Sequence, residues 1–216
     1  MIRAVKRLFT LLLLSMFSLT ASAVVLEQAP LNNGDGASSV GSAGTQVAEN
    51  FQFTDSVTLT SISWWGSYDD SAPDPESFTV RIFEGDGAGN PLINSLYETT
   101  FTGLGDDSAG LADIAGGTVF QYDVSVSSWL LQGGVNYYLS VFSNDDRQNW
   151  YWLESPTGND LNWSRAADGD SWTANDAALN LSFRLTADQI TTNVPEPATL
   201  FLVLLPSLWL IRKFYK

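Results

Sequence analysis

Residues 120–126 read Phe120-Gln121-Tyr122-Asp123-Val124-Ser125-Val126, and this strict alternation decides the fold. Successive side chains on a strand point to opposite faces, so Phe120, Tyr122, Val124 and Val126 form one apolar edge while Gln121, Asp123 and Ser125 face water. The same period of two recurs outward in both directions. Phe78, Val80 and Ile82 alternate with Thr79 and Arg81; Val135, Tyr137, Leu139 and Val141 share a face; Leu179, Leu181, Phe183 and Leu185 are opposed by Asn180, Ser182 and Arg184. Further strands are expected over 47–53, 57–65, 92–102 and 149–154. In the second of these the phase switches from Val57 and Leu59 to Ile62 and Trp64, which predicts a bulge near Thr60-Ser61. Gly- and Asp-rich turns separate the runs, at 74–75, 85–91, 116–117, 133–134, 144–145 and 168–169. No helical period and no βαβ alternation interrupts them. The expectation is an all-β domain: an antiparallel β-sandwich or jelly roll of about eight or nine strands over 46–187, after an irregular lead-in at 24–45.

Composition narrows the function. The 216 residues include no Cys and no His, which removes disulfides, thiolate metal sites and the commonest general base. Only four basic residues (Arg81, Arg147, Arg165 and Arg184) lie between 24 and 193, against 23 acids, a net charge of −19. A body so acidic repels phosphate backbones, so nucleic acid is not a partner. Cations, neutral glycans and basic partners are the ligands such a surface admits.

Both ends read as targeting segments. Arg3, Lys6 and Arg7 precede an apolar stretch from Leu8 to Leu19 and then Ala21-Ser22-Ala23. That is a signal-peptide helix with its small-x-small cleavage site at Ala21 and Ala23, cut after Ala23. At the other end, a short linker at 188–194 leads to Val194-Pro195-Glu196-Pro197, an uncharged stretch from Ala198 to Ile211, and a tip containing Arg212, Lys213 and Lys216. Fourteen helical residues cover about 21 Å, against roughly 30 Å of hydrocarbon, a gap that snorkelling basic ends and local thinning close. The basic tip places the expected transmembrane helix 198–211 with its end in the cytoplasm and the body outside.

The order Pro-Glu-Pro, apolar helix and Arg/Lys tip resembles the PEP-CTERM protein-sorting signal. That resemblance implies processing by an exosortase-like membrane enzyme that reads Val194, Pro195, Glu196 and Pro197, in a host that makes exopolysaccharide. The two prolines agree with it, since they hold the motif extended and apart from the helix. The implied localisation is the inner membrane before processing, then the cell surface or the extracellular matrix. The body is similar to the sandwich domains called choice-of-anchor domains, through Phe78 to Phe83 with the turn that follows and through residues 134–141.

Within the body the tryptophans stand out, seven of the chain's eight lying there. Neighbours on a strand face opposite ways, so Trp64-Trp65 puts one ring on each side of a sheet. Either these rings fill the core, or an exposed one stacks on a sugar while polar neighbours take its hydroxyls. The glycan set would be Trp64, Trp65, Asp145, Asp146, Arg147 and Trp150, with Asp69, Asp70 and Asn149 near by. The loops at 69–76, 84–90, 144–146 and 168–170 offer oxygens of the kind Ca²⁺ takes, but none has the spacing of a known calcium loop. No cofactor is expected beyond that. No catalytic motif exists and no pair of carboxylates stands out, so the domain reads as non-enzymatic, structural or adhesive, with a lectin-like module as the alternative. Asn162-Trp163-Ser164 and Asn180-Leu181-Ser182 match the glycosylation sequon.

Overall fold

The computed structural model describes residues 23–41, 44–145, 147–176 and 179–190. The expected signal-peptide helix, Ala21, the sorting motif, the transmembrane helix and its basic tip lie outside these residues, as does Asp146. The described chain forms strands β1 (Ala23–Gln28), β2 (Gly36–Ser38), β3 (Gln46–Phe51), β4 (Val57–Tyr68), β5 (Glu76–Glu84), β6 (Tyr97–Gly103) and β7 (Asp106–Ala112). They continue as β8 (Thr118–Leu131), β9 (Tyr137–Ser143), β10 (Trp150–Ser155), β11 (Leu161–Arg165), β12 (Thr173–Asp176), β13 (Asn180–Leu181) and β14 (Phe183–Gln189). Every strand pairing is antiparallel, in one sheet of eight strands and one of six. The all-β sandwich is therefore present, with more strands than the eight or nine expected.

The extra strands are short or polar. β7 reads Asp-Asp-Ser-Ala-Gly-Leu-Ala and β12 Thr-Ala-Asn-Asp, neither with alternating large apolar residues. The stretch 24–45, expected as an irregular lead-in, carries β1 and β2. β14 also runs to Gln189, two residues into the expected linker, where it pairs with Val57.

β4 organises the larger sheet. Its first part lies between β14 and β8, and its last residues, Gly66 to Tyr68, pair with Trp150–Trp152 of β10. β1 lies outside β14; β7 lies outside β8. The phase change at Thr60 is real: β4 shifts register against both β8 and β14 there. On β8 three residues, Val126 to Ser128, oppose that one position, and Ser128 takes φ 62°. The switch lets Leu59, Ile62 and Trp64 all point inward. Gly66 has no side chain because a Cβ there would land inside the Trp150 indole.

The smaller sheet runs β12-β11-β3-β9-β5-β6. Between the sheets Phe78, Val80, Ile82, Leu139, Val141 and Leu185 are fully buried, joined by a web of rings. Trp64 stacks on Tyr122 at 5.4 Å between centroids, and Phe78 meets Trp150 edge-on at 4.9 Å. Without disulfides this burial carries the fold, at about 1.5–3 kcal/mol for each large side chain removed from water.

Candidate functional site

The loops after β4 and β9 meet at one end of the sandwich. The backbone N–H of Asp69 donates to Asn149 O at 3.4 Å, and Asn149 Nδ2 donates to Asp69 Oδ2 at 2.8 Å. Beside them Arg147 Nε donates to Asp145 Oδ1 at 2.8 Å, and its terminal nitrogen forms a second bond to the same carboxylate. That guanidinium holds the Asp145 carboxyl below the usual carboxylate range. Four polar members of the expected glycan set and its neighbours, Asp69, Asp145, Arg147 and Asn149, are thus brought together at the rim.

The aromatic members are not. Trp64 and Trp150 have no exposed surface and Trp65 has 3%. Trp64 and Trp150 lie between the sheets. Trp65 does point the other way, as its neighbour position requires, but that face is covered too, by Val119, Leu153 and Leu111, while the Arg184 guanidinium stands 5.5 Å from the ring centre. No face of these three indoles is open for a pyranose. The sequence could not show this, because the covering residues come from β7, β8 and β10, far along the chain. The sequon asparagines are buried as well: Asn162 donates to Leu179 O and Asn180 to Asp160 Oδ1.

Beneath the rim lies a carboxylate that the sequence reading did not single out. Glu76, at the start of β5, is buried. Its Oε1 accepts from Tyr122 Oη at 2.6 Å and its Oε2 from the backbone N–H of Gly105 at 2.5 Å. Gly105 can approach because it lacks a Cβ that would strike the Tyr122 ring. Burial, with Glu76 close by, pushes the Tyr68 phenol far up, and Tyr122 follows for the same first cause. Both phenols therefore stay protonated, and Tyr122 is a fixed donor to the carboxylate.

A second unforeseen cluster covers the outer face of the six-stranded sheet. Phe83, Tyr138, Trp163 and Trp172 form an aromatic layer there. The Arg165 guanidinium, its side chain 2% exposed, stands 4.5 Å from the Trp172 ring centre and 5.1 Å from that of Phe83. It donates to Gln46 Oε1, Ile93 O and Asp168 Oδ1, at 2.8, 2.9 and 2.8 Å. Arg81 also reaches Asp168, through both of its terminal nitrogens, and pairs with Glu98 at 2.7 Å. Hydrogen bonding from Arg81 pulls the Asp168 carboxyl down to about 2. The cluster pins the loop after β11 and the segment before β6 onto the sheet.

Two of the acidic loops use a carboxylate on the protein itself. Asp86 accepts from the N–H groups of Ala88 and Asn90, and Asp168 from two arginines. Among the described residues no three acidic side chains converge as metal ligands. Nor does any described helix have the length and apolarity to cross a membrane.

No family model matches the chain, and no curated protein matches it either. Among solved structures it is similar to a chain of infectious bursal disease virus, Gt strain, with 9% identity and a TM-score of 0.30 over 82% of this chain and 38% of that one. An alpha-amino acid ester hydrolase gives 10% identity and a TM-score of 0.31, covering 82% of this chain and 31% of the hydrolase. The VP2 subviral particle of infectious bursal disease virus gives 9% and 0.30, over 80% and 42%. The chain spans less than half the length of each of these proteins.

Proposed function

We propose that this chain is an exported envelope protein whose β-sandwich serves a structural or adhesive role, without catalysis, at the cell surface or within extracellular polysaccharide. The observation that carries the reading is the order of parts at the C-terminus: Val194-Pro195-Glu196-Pro197, an uncharged apolar stretch, then Arg212, Lys213 and Lys216. In this reading an exosortase-like enzyme recognises the Pro-Glu-Pro motif, the tail holds the protein in the inner membrane until then, and a signal peptidase cuts after Ala23. Cleavage there removes one residue of β1 and leaves Val24 to Gln28 to pair with β14.

The non-catalytic reading is supported by the fate of the acidic groups. Glu76, Asp86, Asp145 and Asp168 are each bonded by donors of the protein itself. The lectin-like alternative loses its stacking partners with the burial of Trp64, Trp65 and Trp150, and keeps among the described residues the polar rim of Asp69, Asp145, Arg147 and Asn149.

Intact mass of the protein recovered from its host tests the reading. With the sorting machinery present the mass should end near Pro195, and with that machinery deleted it should include residues 198–216. A tail retained in both cases would sink the sorting proposal and leave a simple membrane anchor.

A further inference from the structure

Two edges of the larger sheet are open: that of β1, and the part of β8 that β7 does not cover. β8 is 14 residues long, and its far edge is closed at both ends. β7 pairs with Phe120 and Gln121. At the other end the Tyr97 hydroxyl, reaching over from β6, accepts from Leu130 N and donates to Leu130 O, both at 3.1 Å. Between these closures Tyr122–Ser127 has no backbone partner on that side among the described residues, and the window ends at the bulged Ser128. At the opposite edge β1 pairs, among the described residues, only with β14. The open window is six residues long, and β1 keeps five of its six once Ala23 is removed.

Their directions also match. From β1 through β14 and β4 to β8 each neighbour is antiparallel, so β1 and β8 run in opposite senses. A second copy moved sideways, and turned to follow the twist of the sheet, would bring its β1 antiparallel to the first copy's β8. Full overlap sets Val24 across from Val126, Val25 from Ser125 and Leu26 from Val124. In this register Val24, Leu26, Val124 and Val126, all half-buried against the core, share the inner face. Val25, 56% exposed, and Ser125 share the outer one.

Charge opposes the contact only weakly at these edges. In a body of net charge −19 the window contains one acid, Asp123, and β1 one, Glu27. Glu27 is already neutralised by Arg184 at 2.6 Å, so Asp123 would face an ion pair and not a lone carboxylate. Neither segment has the lysine or proline that commonly blunts an edge.

We propose that the partner of these edges is another copy of this chain, joined β1 to β8 head to tail, so that the larger sheet continues from one domain to the next. The contact is heterologous and does not close on itself, so it builds rows. Main-chain bonds supply the affinity, as in other strand additions. The inference concerns the folded domain and holds whether or not the tail is processed.

Because the chain has no cysteine, every disulfide in a test is one that was introduced. The full-length protein carrying both Val25→Cys and Ser125→Cys would be oxidised with copper phenanthroline in detergent and run on a non-reducing gel. Within one chain the two positions are three strand spacings apart, about 14 Å, too far to bridge. A ladder of dimers, trimers and longer species is expected from the double variant, with each single variant monomeric. Dimers from either single variant, or no ladder from a double variant with an unchanged circular dichroism spectrum, would overturn the proposal. In sedimentation of the full chain, Val25→Lys should raise the concentration needed for association at least tenfold. An unchanged association curve counts against it.

Discussion

The space between the sheets and the outer face of the six-stranded sheet both hold acidic side chains, and they hold them in opposite ways. Glu49 points from β3 into the inter-sheet space, where its Oε2 accepts from the backbone N–H of Leu181 at 2.8 Å and its Oε1 is buried as well. Burial pushes its carboxyl up to about 8, against the pull of N–H groups from Leu181 and Asn50. Asp168 lies outside, between two arginines, and is driven down to about 2. One site keeps a carboxylic acid neutral to use it as a bridge between sheets. The other keeps a carboxylate charged to fasten loops. What separates them is the supply of cations: with four basic residues in the body, two are spent on Asp168 and none is directed at Glu49.

The inter-sheet region should prove the more sensitive of the two. Trp64→Ala removes a fully buried ring that touches Phe78, Phe101 and Tyr122, and should cost about 4 kcal/mol in denaturant unfolding. A loss no larger than that of an outer-face substitution would erase the distinction.

Glu49 sharpens it through pH. Its folded-state value lies above its ordinary one of 4.5, so the stability it contributes is complete below about pH 4.5 and is lost as pH climbs toward 8. Glu49→Gln should level that slope and raise stability at pH 7 by about 3 kcal/mol. A wild-type profile that is flat from pH 5 to 8 would refute the assignment. On the outer face, Arg165→Met keeps the bulk over Trp172 but strands the acceptors on Gln46 and Ile93. Unfolding should show a loss of about 2 kcal/mol.

The smallest effect belongs to Asp168. Its depressed value gives stability that is present above about pH 3.8 and lost as pH falls toward 2, the reverse of Glu49. Because its side chain is 61% exposed, solvent screening reduces the effect of Asp168→Asn to about 1 kcal/mol or less. Urea titrations at pH 3 and pH 6 would measure it, and a larger loss at pH 3 than at pH 6 would reverse the sign argued here.

How far the sequence reaches follows from which contacts are local. Alternation located β3, β4, β5, β8, β9, β10 and β14, and the phase slip at Thr60-Ser61 located the bulge, because each depends only on neighbouring residues. It also placed Trp64 and Trp65 on opposite faces. It could not tell that both faces are covered, nor that Arg81 would find Asp168 or Tyr122 find Glu76, since those partners are distant in the chain and nothing in spacing links them. β7 and β12 were illegible because their strand character comes from a partner's edge and not from their own side chains, whereas β1 does alternate, with Val24 and Leu26 inward, but lay within the stretch read as a lead-in.

The pairing of β1 with β14 has a consequence in time. A ribosome delivers β1 first and β14 last of the strands in this domain, yet each is the other's neighbour from Ala23–Asp188 to Gln28–Phe183. β1 therefore waits, unpaired, for the whole intervening sequence. A nascent chain halted before residue 183 leaves both β1 and the flank of β4 from Val57 to Trp64 without the strand that joins them. Completion of the larger sheet is thereby a proofreading step: only a finished domain gives its first strand the β14 neighbour.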